Sequence, residues 1–385
     1  MAGPVHPGAP STARLSDGFV HTFFPGRVVF GAGTLDQVAA EVEWLGVRRV
    51  LLVATKSARD AADVVEAELG DRFAGRIDGV AQHVPTEVAE NARTKARDVG
   101  ADGIVAIGGG SAIGLAKAVA LTNALPSEPS PREPADDRPG SGVGGMAIVA
   151  VPTTYAGSEM TPVWGETAGG SKTTGTDLRV LPRTVIYDPV LSQHLPKKVT
   201  AASVANAIAH CVEAVWTTKA DPITETIAVE GVRALTTGLK AVLEDPTDLD
   251  ARGNLLYGAC LAGSALATAG TGLHHKLCHL LGGTYNLPHA ETHAAVLPQV
   301  TRVNAPAVPR AKARLEDALQ TEDLAAGLYD LFAAAEVPTS LQQLGLAHGQ
   351  VAEATKAFKP TDNPIPVTEE LVGEILTRAW AGTRP

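Results

Sequence analysis

Aromatic residues are scarce in this chain, at 4% of 385 residues, so its core has to be packed by small aliphatic side chains. Cysteine is scarcer still. Cys211, Cys260 and Cys278 are the three present, an odd number, far apart and outside any CxxC pair. That spacing excludes a disulfide framework and reads as reduced thiols in a cytoplasmic protein. No apolar run is long enough to span a bilayer, and the N-terminal residues lack a basic start followed by an apolar run, so no signal peptide is expected. Positive charge is in deficit: 32 Lys and Arg against 42 Asp and Glu leave a net charge of -10. An acidic chain of this kind is not expected to take nucleic acid or an anionic membrane as partner. An anionic substrate would need a locally basic pocket.

What is abundant is Ala, Gly and Val, within a hydrophobic content of 45%, and the length fits a soluble globular protein of about two domains. Residues 1–17 are rich in Pro, Gly, Ser and Ala and are expected to form a disordered tail. The segment FVHTFFPGRVVFGAGTL offers two short β-rich runs around Pro25-Gly26, an expected hairpin. Beyond it, VLLVA at Val50 to Ala54 has a buried-strand pattern, followed by a helical stretch through Ala61 and Leu69. A short strand near Val80, a helix over Val88 to Val99 and the strand Gly103 to Ile107 continue the alternation. Continuous aliphatic strands alternating with amphipathic helices predict a parallel sheet covered on both faces. Residues 126–145, PSEPSPREPADDRPGSGVGG, cannot support a packed element and read as a flexible surface insertion. Strands resume at Met146 to Val151 and at Thr184 to Tyr187; from residue 199 the pattern is helix after helix. The expected organisation is an α/β domain over 18–198, carrying the insertion, and an all-helical domain over 199–385.

The strand GIVAI runs directly into GGGSAIGLAKAVAL, Gly108 to Leu121. Glycines leaving a strand and entering a helix let the backbone approach a phosphate, where the helix N-terminus supplies free N–H groups and a positive dipole end. Ser111 can add a hydroxyl donor. The motif is neither GxGxxG nor a Walker loop, and an ordinary tight turn would use the same residues. A second loop, VPTTYAGSE at Val151 to Glu159, follows the next strand. Its Thr153 and Thr154 stand at a strand's C-terminal end, where open α/β sheets bind ligands.

The stretch GLHHKLCHLLGGTYNLPHAETH, residues 272–293, holds five of the chain's eleven histidines. His275 and His279 form an i, i+4 pair on one helix face, and a turn through Pro288 can bring His289 beside them.

Together, GGGSAIGLAKA, PTTYAGSEMTPVWGET with GGSKTT, NAIAHCVEA and LHHKLCHLLGGTYNLPHAETHAAVLP resemble the group III, or iron-containing, alcohol dehydrogenase superfamily. Within it the chain looks like the maleylacetate reductases, from about Phe19 to the C-terminus. The resemblance implies an N-terminal dinucleotide-binding domain with a parallel sheet and a helical C-terminal domain. It places the cofactor pyrophosphate on Gly108, Gly109, Gly110 and Ser111, its ribose and nicotinamide side on Thr153, Thr154 and Lys172, and counts Ser158 among the cofactor-binding residues. Metal-dependent members bind Fe(II) or Zn through one Asp and three His. Here those places match Asn206, His210, His275 and His289, with His279 as an additional active-site histidine; His274 and His293 match no ligand place. His293 is expected to be a cap or surface residue. A carboxamide is an uncharged, poor ligand for a hard divalent ion, so the site is expected to work without metal. Lys276 and the histidines are then the donors that would hold an oxyanion.

Thr55, followed by Lys56, stands where an Asp would bind the adenosine 2′-OH and repel a 2′-phosphate, so NADH and NADPH are both expected to serve. Gly114 replaces the Asp common in GGGSxxD. The activity implied is NAD(P)H-dependent reduction of maleylacetate to 3-oxoadipate by a cytoplasmic homodimer acting on a small dicarboxylate. Alternatives that stay open are a metal-dependent alcohol dehydrogenase, an enone reductase with another acidic substrate, and a nucleotide-binding relative without turnover.

Overall fold

The computed structural model describes residues 18–81, 84–122, 145–168 and 171–385. The tail expected at 1–17 and all but the last residue of the 126–145 insertion lie outside the described residues. The chain divides into two compact units, Phe24–Leu195 and Pro196–Pro385, the second joined by the residues up to Phe23. Sequence reasoning put residues 18–23 with the α/β domain. They group instead with the helical unit, where the ring of His21 bonds Asp221 at 2.9 Å.

The first unit is built on β1 (Arg27–Phe30), β2 (Val50–Ala54), β3 (Phe73–Asp78), β4 (Gly103–Gly108), β5 (Ala147–Pro152) and β8 (Thr184–Tyr187). These pair in the order β1-β8-β5-β4-β2-β3, all parallel. The hairpin expected around Pro25-Gly26 is absent: of its two runs only Arg27–Phe30 forms a strand, and it pairs in parallel with the distant β8. A hairpin that the sequence did not announce, β6 (Val163–Ala168) with β7 (Ser171–Thr176), stands outside this sheet.

The continuous aliphatic character of β2 and β4 has a direct cause, since alternate residues point to opposite faces and both faces are covered. Leu51, Val53, Ile104 and Ala106 pack under α3 (Thr86–Asp98) and α4 (Gly110–Thr122). Val50, Leu52, Ala54, Val105 and Ile107 pack under α1 (Val38–Trp44) and α2 (Arg59–Leu69). The chain runs outward from β2 to β3, then crosses back so that β4 lies on the other side of β2. Reversal of strand order opens a crevice at the strands' C-terminal ends. Thr55 and Gly108 sit at that crevice.

From Pro196 onward the described residues of the second unit form helices joined by loops, with no strand: α5 (Lys197–Ala214), α6 (Pro222–Glu244), α7 (Leu249–Ala269), α8 (Leu273–Tyr285), α9 (His289–Asn304), α10 (Pro309–Leu319), α11 (Leu324–Ala334), α12 (His348–Ala357) and α13 (Glu369–Ala381). Helix α5 is buried on every side from Thr200 to Ala214, because α6, α7 and α9 all pack on it. Its small residues (Ala, Ser, Val) allow this close approach. Helix α8 ends on Asn286 in the left-handed conformation, φ 54°, a residue type that tolerates it. Pro288 then caps α9, and the two helices fold back on each other. No single helix among the described residues is long and apolar enough to cross a membrane.

Candidate active site

In the first unit the glycine run and the strand ends converge. Gly108 has φ 147°, and a Cβ there would lie 2.6 Å from the Thr55 methyl. Gly109 could carry a Cβ only at 3.0 Å from the Thr154 side chain. The backbone is thus packed as tightly as it can be while Thr55 and Thr154 flank it. Helix α4 begins at Gly110, and the Thr153 amide donates to the Gly108 carbonyl at 3.1 Å. Ser158 Oγ is buried without a hydrogen-bond partner, 3.8 Å from where a Gly110 Cβ would stand. Thr55, Gly108, Gly109, Gly110, Thr153, Thr154 and Ser158 therefore share one neighbourhood, and Ser111 lies in the first turn of α4. Lys172 is in β7, and its side chain lies outside the described residues. Val84 approaches Gly114 so closely that a Cβ would meet it at 3.0 Å; a larger residue would have to displace that side chain.

In the helical unit six histidines gather from three helices: His210 on α5, His274, His275 and His279 on α8, and His289 and His293 on α9. His210 Nδ1 and His275 Nε2 lie 2.7 Å apart, with their rings stacked. His274 Nε2 and His293 Nδ1 lie 2.8 Å apart. The His293 ring is 4.8 Å from those of His274 and His275 and 4.6 Å from that of His289. His279 stacks on His289 at 6.1 Å. The cluster has an inner half, His210, His274, His275 and His293, buried to 7% exposure or less. His279 is exposed and His289 half-buried, so the outer half is open to a ligand.

His293 is thus neither a cap nor a surface residue. It is fully buried at the centre of the cluster, because α9 turns the side chain four residues after His289 into the same interior face. Lys276 departs the other way. It is exposed and its ammonium donates to the Thr361 hydroxyl, so it does not join the histidines. Successive side chains on α8 diverge by about 100°: His274 meets α9, His275 meets α5, and Lys276 turns to solvent.

Sequence reasoning missed Glu213. This carboxylate is fully buried and accepts from His275 Nδ1 at 2.5 Å and from the amides of Gly272 at 2.8 Å and His274 at 2.6 Å. It both caps α8 and fixes the ring of His275. A lone acid three residues after His210, in an otherwise apolar helix, was the available signal. Burial opposes its ionisation, but the His275 and His274 rings and the Gly272 amide overcome this and hold its pKa below the ordinary carboxylate range. Burial drives His274 down to about 3, reinforced by charge on His275, and drives His293 well below its ordinary value. Imidazoles that stay unprotonated keep a lone pair for a ligand.

The donor set fits a transition metal. One nitrogen each from His274, His275 and His293 lie within 4.8 Å of one another. Asn206 Oδ1 and His293 Nε2 are buried without a hydrogen-bond partner, the condition of atoms awaiting a ligand. Imidazole suits iron and zinc, and the Glu213–His275 pair is the usual support for a metal-binding histidine.

Residues 25–189 match the family described as iron-containing alcohol dehydrogenase, and residues 200–380 match the C-terminal part of the same family. Maleylacetate reductase 1 of Rhodococcus opacus is 44% identical over 375 residues, 97% of this chain and 99% of that protein. Maleylacetate reductase of Pseudomonas sp. strain P51 is 42% identical over 95% of this chain and 99% of its own. The crystal structure of maleylacetate reductase from Agrobacterium tumefaciens superposes with a TM-score of 0.86 at 38% identity, covering 95% of this chain and 99% of that one. The expectation of a metal-free site is corrected by the family match and by the buried trio of histidines. Loss of a carboxylate at Asn206 removes one anionic ligand, but neutral nitrogen donors remain and Glu213 supplies the negative charge behind them. The chain belongs to the iron-containing alcohol dehydrogenase family.

Proposed function

We propose that this chain reduces the conjugated C=C of maleylacetate to give 3-oxoadipate, at the expense of NADH or NADPH. The observation that carries the reading is the 42–44% identity to maleylacetate reductases over almost the full length of both chains. The substrate is a dicarboxylate with a ketone conjugated to the alkene. A hydride from the nicotinamide adds to the alkene carbon β to the ketone, the electron pair of the C=C shifts toward the carbonyl, and the resulting enolate takes a proton at the neighbouring carbon. The nicotinamide is oxidised, and one proton is consumed from solvent.

On this reading the backbone N–H groups at Gly109 to Ser111 bind the pyrophosphate at the start of α4. Thr153, Thr154 and Lys172 orient the ribose and nicotinamide side, while Ser158 stands beside Gly110 at the pyrophosphate cradle. Thr55, lacking the carboxylate that excludes a 2′-phosphate, admits both dinucleotides. His279 and His289, the outer half of the cluster, donate hydrogen bonds to the developing oxyanion, where a preorganised donor acts mainly in the transition state. His210, His275 and Asn206 line the inner wall, with His275 held by Glu213; together with His274 and His293 they would hold the ion. A bound Fe(II) or Zn would add Lewis-acid polarisation of the ketone.

The three cysteines form no disulfide, which supports a reducing, cytoplasmic setting. The exposed side chains of Val28 and Phe30 on the edge strand β1 support a homodimer, since an apolar edge favours being covered.

The test is loss of NADH absorbance on adding freshly prepared maleylacetate, with 3-oxoadipate identified as product. No consumption of NADH or NADPH, or equal turnover with simple aldehydes, would overturn the reading.

A further inference from the structure

Lys117 is 1% exposed in the apolar helix α4, two turns after the glycine cradle. Its ammonium is wrapped by one short stretch of chain. Nζ donates to the carbonyls of Ser158 at 2.7 Å, Thr161 at 2.6 Å and Val163 at 2.9 Å, and meets the Thr161 hydroxyl at 3.1 Å. That hydroxyl donates in turn to the Ser158 carbonyl at 3.0 Å. Beside it, Glu159 is equally buried; its Oε1 accepts from the Tyr187 hydroxyl at 2.8 Å, while Oε2 has no partner. Burial pulls the Lys117 ammonium down to about 7, opposed by the charge of Glu159.

A buried ammonium is costly, and an apolar side chain of similar length would fill this space at less expense. What the lysine secures is the path of residues 158–163. That path leads straight to the cradle: Ser158, whose carbonyl Lys117 holds, presents a buried hydroxyl with no partner at the start of α4. We propose that Lys117 is a positioning residue for the dinucleotide: it clamps Ser158–Val163 onto α4 so that the Ser158 hydroxyl stands ready for a pyrophosphate oxygen. The proposal rests on the dinucleotide-binding reading above. Lys117 acts through Ser158 and touches no reacting atom.

The test pairs two measurements on the full chain. In the free protein, hydrogen exchange of Lys117→Met should be faster over residues 157–163, with α5 to α9 unchanged. By fluorescence titration the Kd for NADH should rise about tenfold or more, while kcat at saturating NADH stays within about threefold. A lysine that served only global stability would lower the melting temperature without this split. Should Lys117→Met fail to fold, Thr161→Val carries the same test, since it removes one acceptor and leaves the cation in place. Wild-type exchange over 157–163 together with a wild-type Kd overturns the proposal in either variant. A wild-type protein that binds neither NADH nor NADPH overturns the dinucleotide reading itself, a result distinct from a variant that binds as the wild type does.

Discussion

Glu213 and His275 face each other at 2.5 Å in the interior of the helical unit, and neither is more than 2% exposed. The carboxylate sits behind the imidazole, on Nδ1, leaving Nε2 turned toward His210. Negative charge therefore reaches the histidine pocket through a hydrogen bond, although Asn206 brings none.

Glu213→Gln should weaken metal uptake more than it weakens the fold. The amide keeps the shape but presents a donor to a ring nitrogen that also donates. Loss of such a support typically costs about 10–100-fold in metal affinity, readable by calorimetric titration of chelator-stripped protein with Zn or, without oxygen, Fe(II). Stripping the wild type should also lower its melting temperature, since an ion at about a hundred times its Kd stabilises by about 2.7 kcal/mol. Equal affinity in wild type and variant would sink this role for Glu213.

His293→Ala should be damaging, and in a different way from His279→Ala. Removing His293 leaves His274 Nε2 with only the weak Cys278 thiol at 3.8 Å in a dry interior, at a cost of about 1–3 kcal/mol, and takes away a ring that touches three others. Thermal denaturation should show it directly. His279 is exposed, so its alanine variant should fold normally and lose turnover, by about a hundred- to a thousandfold if it holds the oxyanion. A silent His293→Ala would contradict the packing.

Acid should destabilise the protein from a higher pH than carboxylate protonation explains. The folded pKa of His274 is driven down to about 3, first by burial and then by charge on His275, while in the unfolded chain it titrates near its ordinary value of about 6.5. The unfolded state then binds more protons than the folded one between these values, so stability rises with pH there. The contribution is complete above about 6.5 and is lost as pH falls toward 3. His293 acts in the same direction. Urea denaturation from pH 8 to pH 5 should show the slope, and His274→Gln should flatten it. A stability independent of pH over that span would mean that these rings are protonated in the fold.

Thr55→Asp should separate the two dinucleotides. Thr55 packs against the left-handed Gly108, 2.6 Å from the place a Cβ would take, so a carboxylate there lies at the mouth of the cradle. KM for NADPH should rise at least about tenfold by repulsion of the 2′-phosphate, with KM for NADH little changed. A wild-type preference for NADH above about a thousandfold, some 4 kcal/mol, would show that another residue already excludes the phosphate.

Much of the architecture was legible in the residues alone. Continuous aliphatic runs such as VLLVA and GIVAI determined buried parallel strands, because only a sheet covered on both faces needs both sets of side chains apolar. The GGG run marked the cradle, since a position at φ 147° with a threonine methyl against it admits no side chain. Spacing put His275 and His279 on one helix. Which neighbours would be interior was a different matter. His274, His275 and Lys276 are consecutive and polar, and nothing local says that the first two are buried and the third is not; that follows from α9 and α5 covering two sides of α8 and solvent the remaining one. The same holds for β1, whose partner β8 lies more than 150 residues away in the chain, and for Glu213 and Lys117, lone charges in apolar helices whose partners come from distant segments. Local pattern specifies the period and the turn of a segment. Burial of a charge depends on oxygens and nitrogens brought from elsewhere, and only the tertiary structure supplies them.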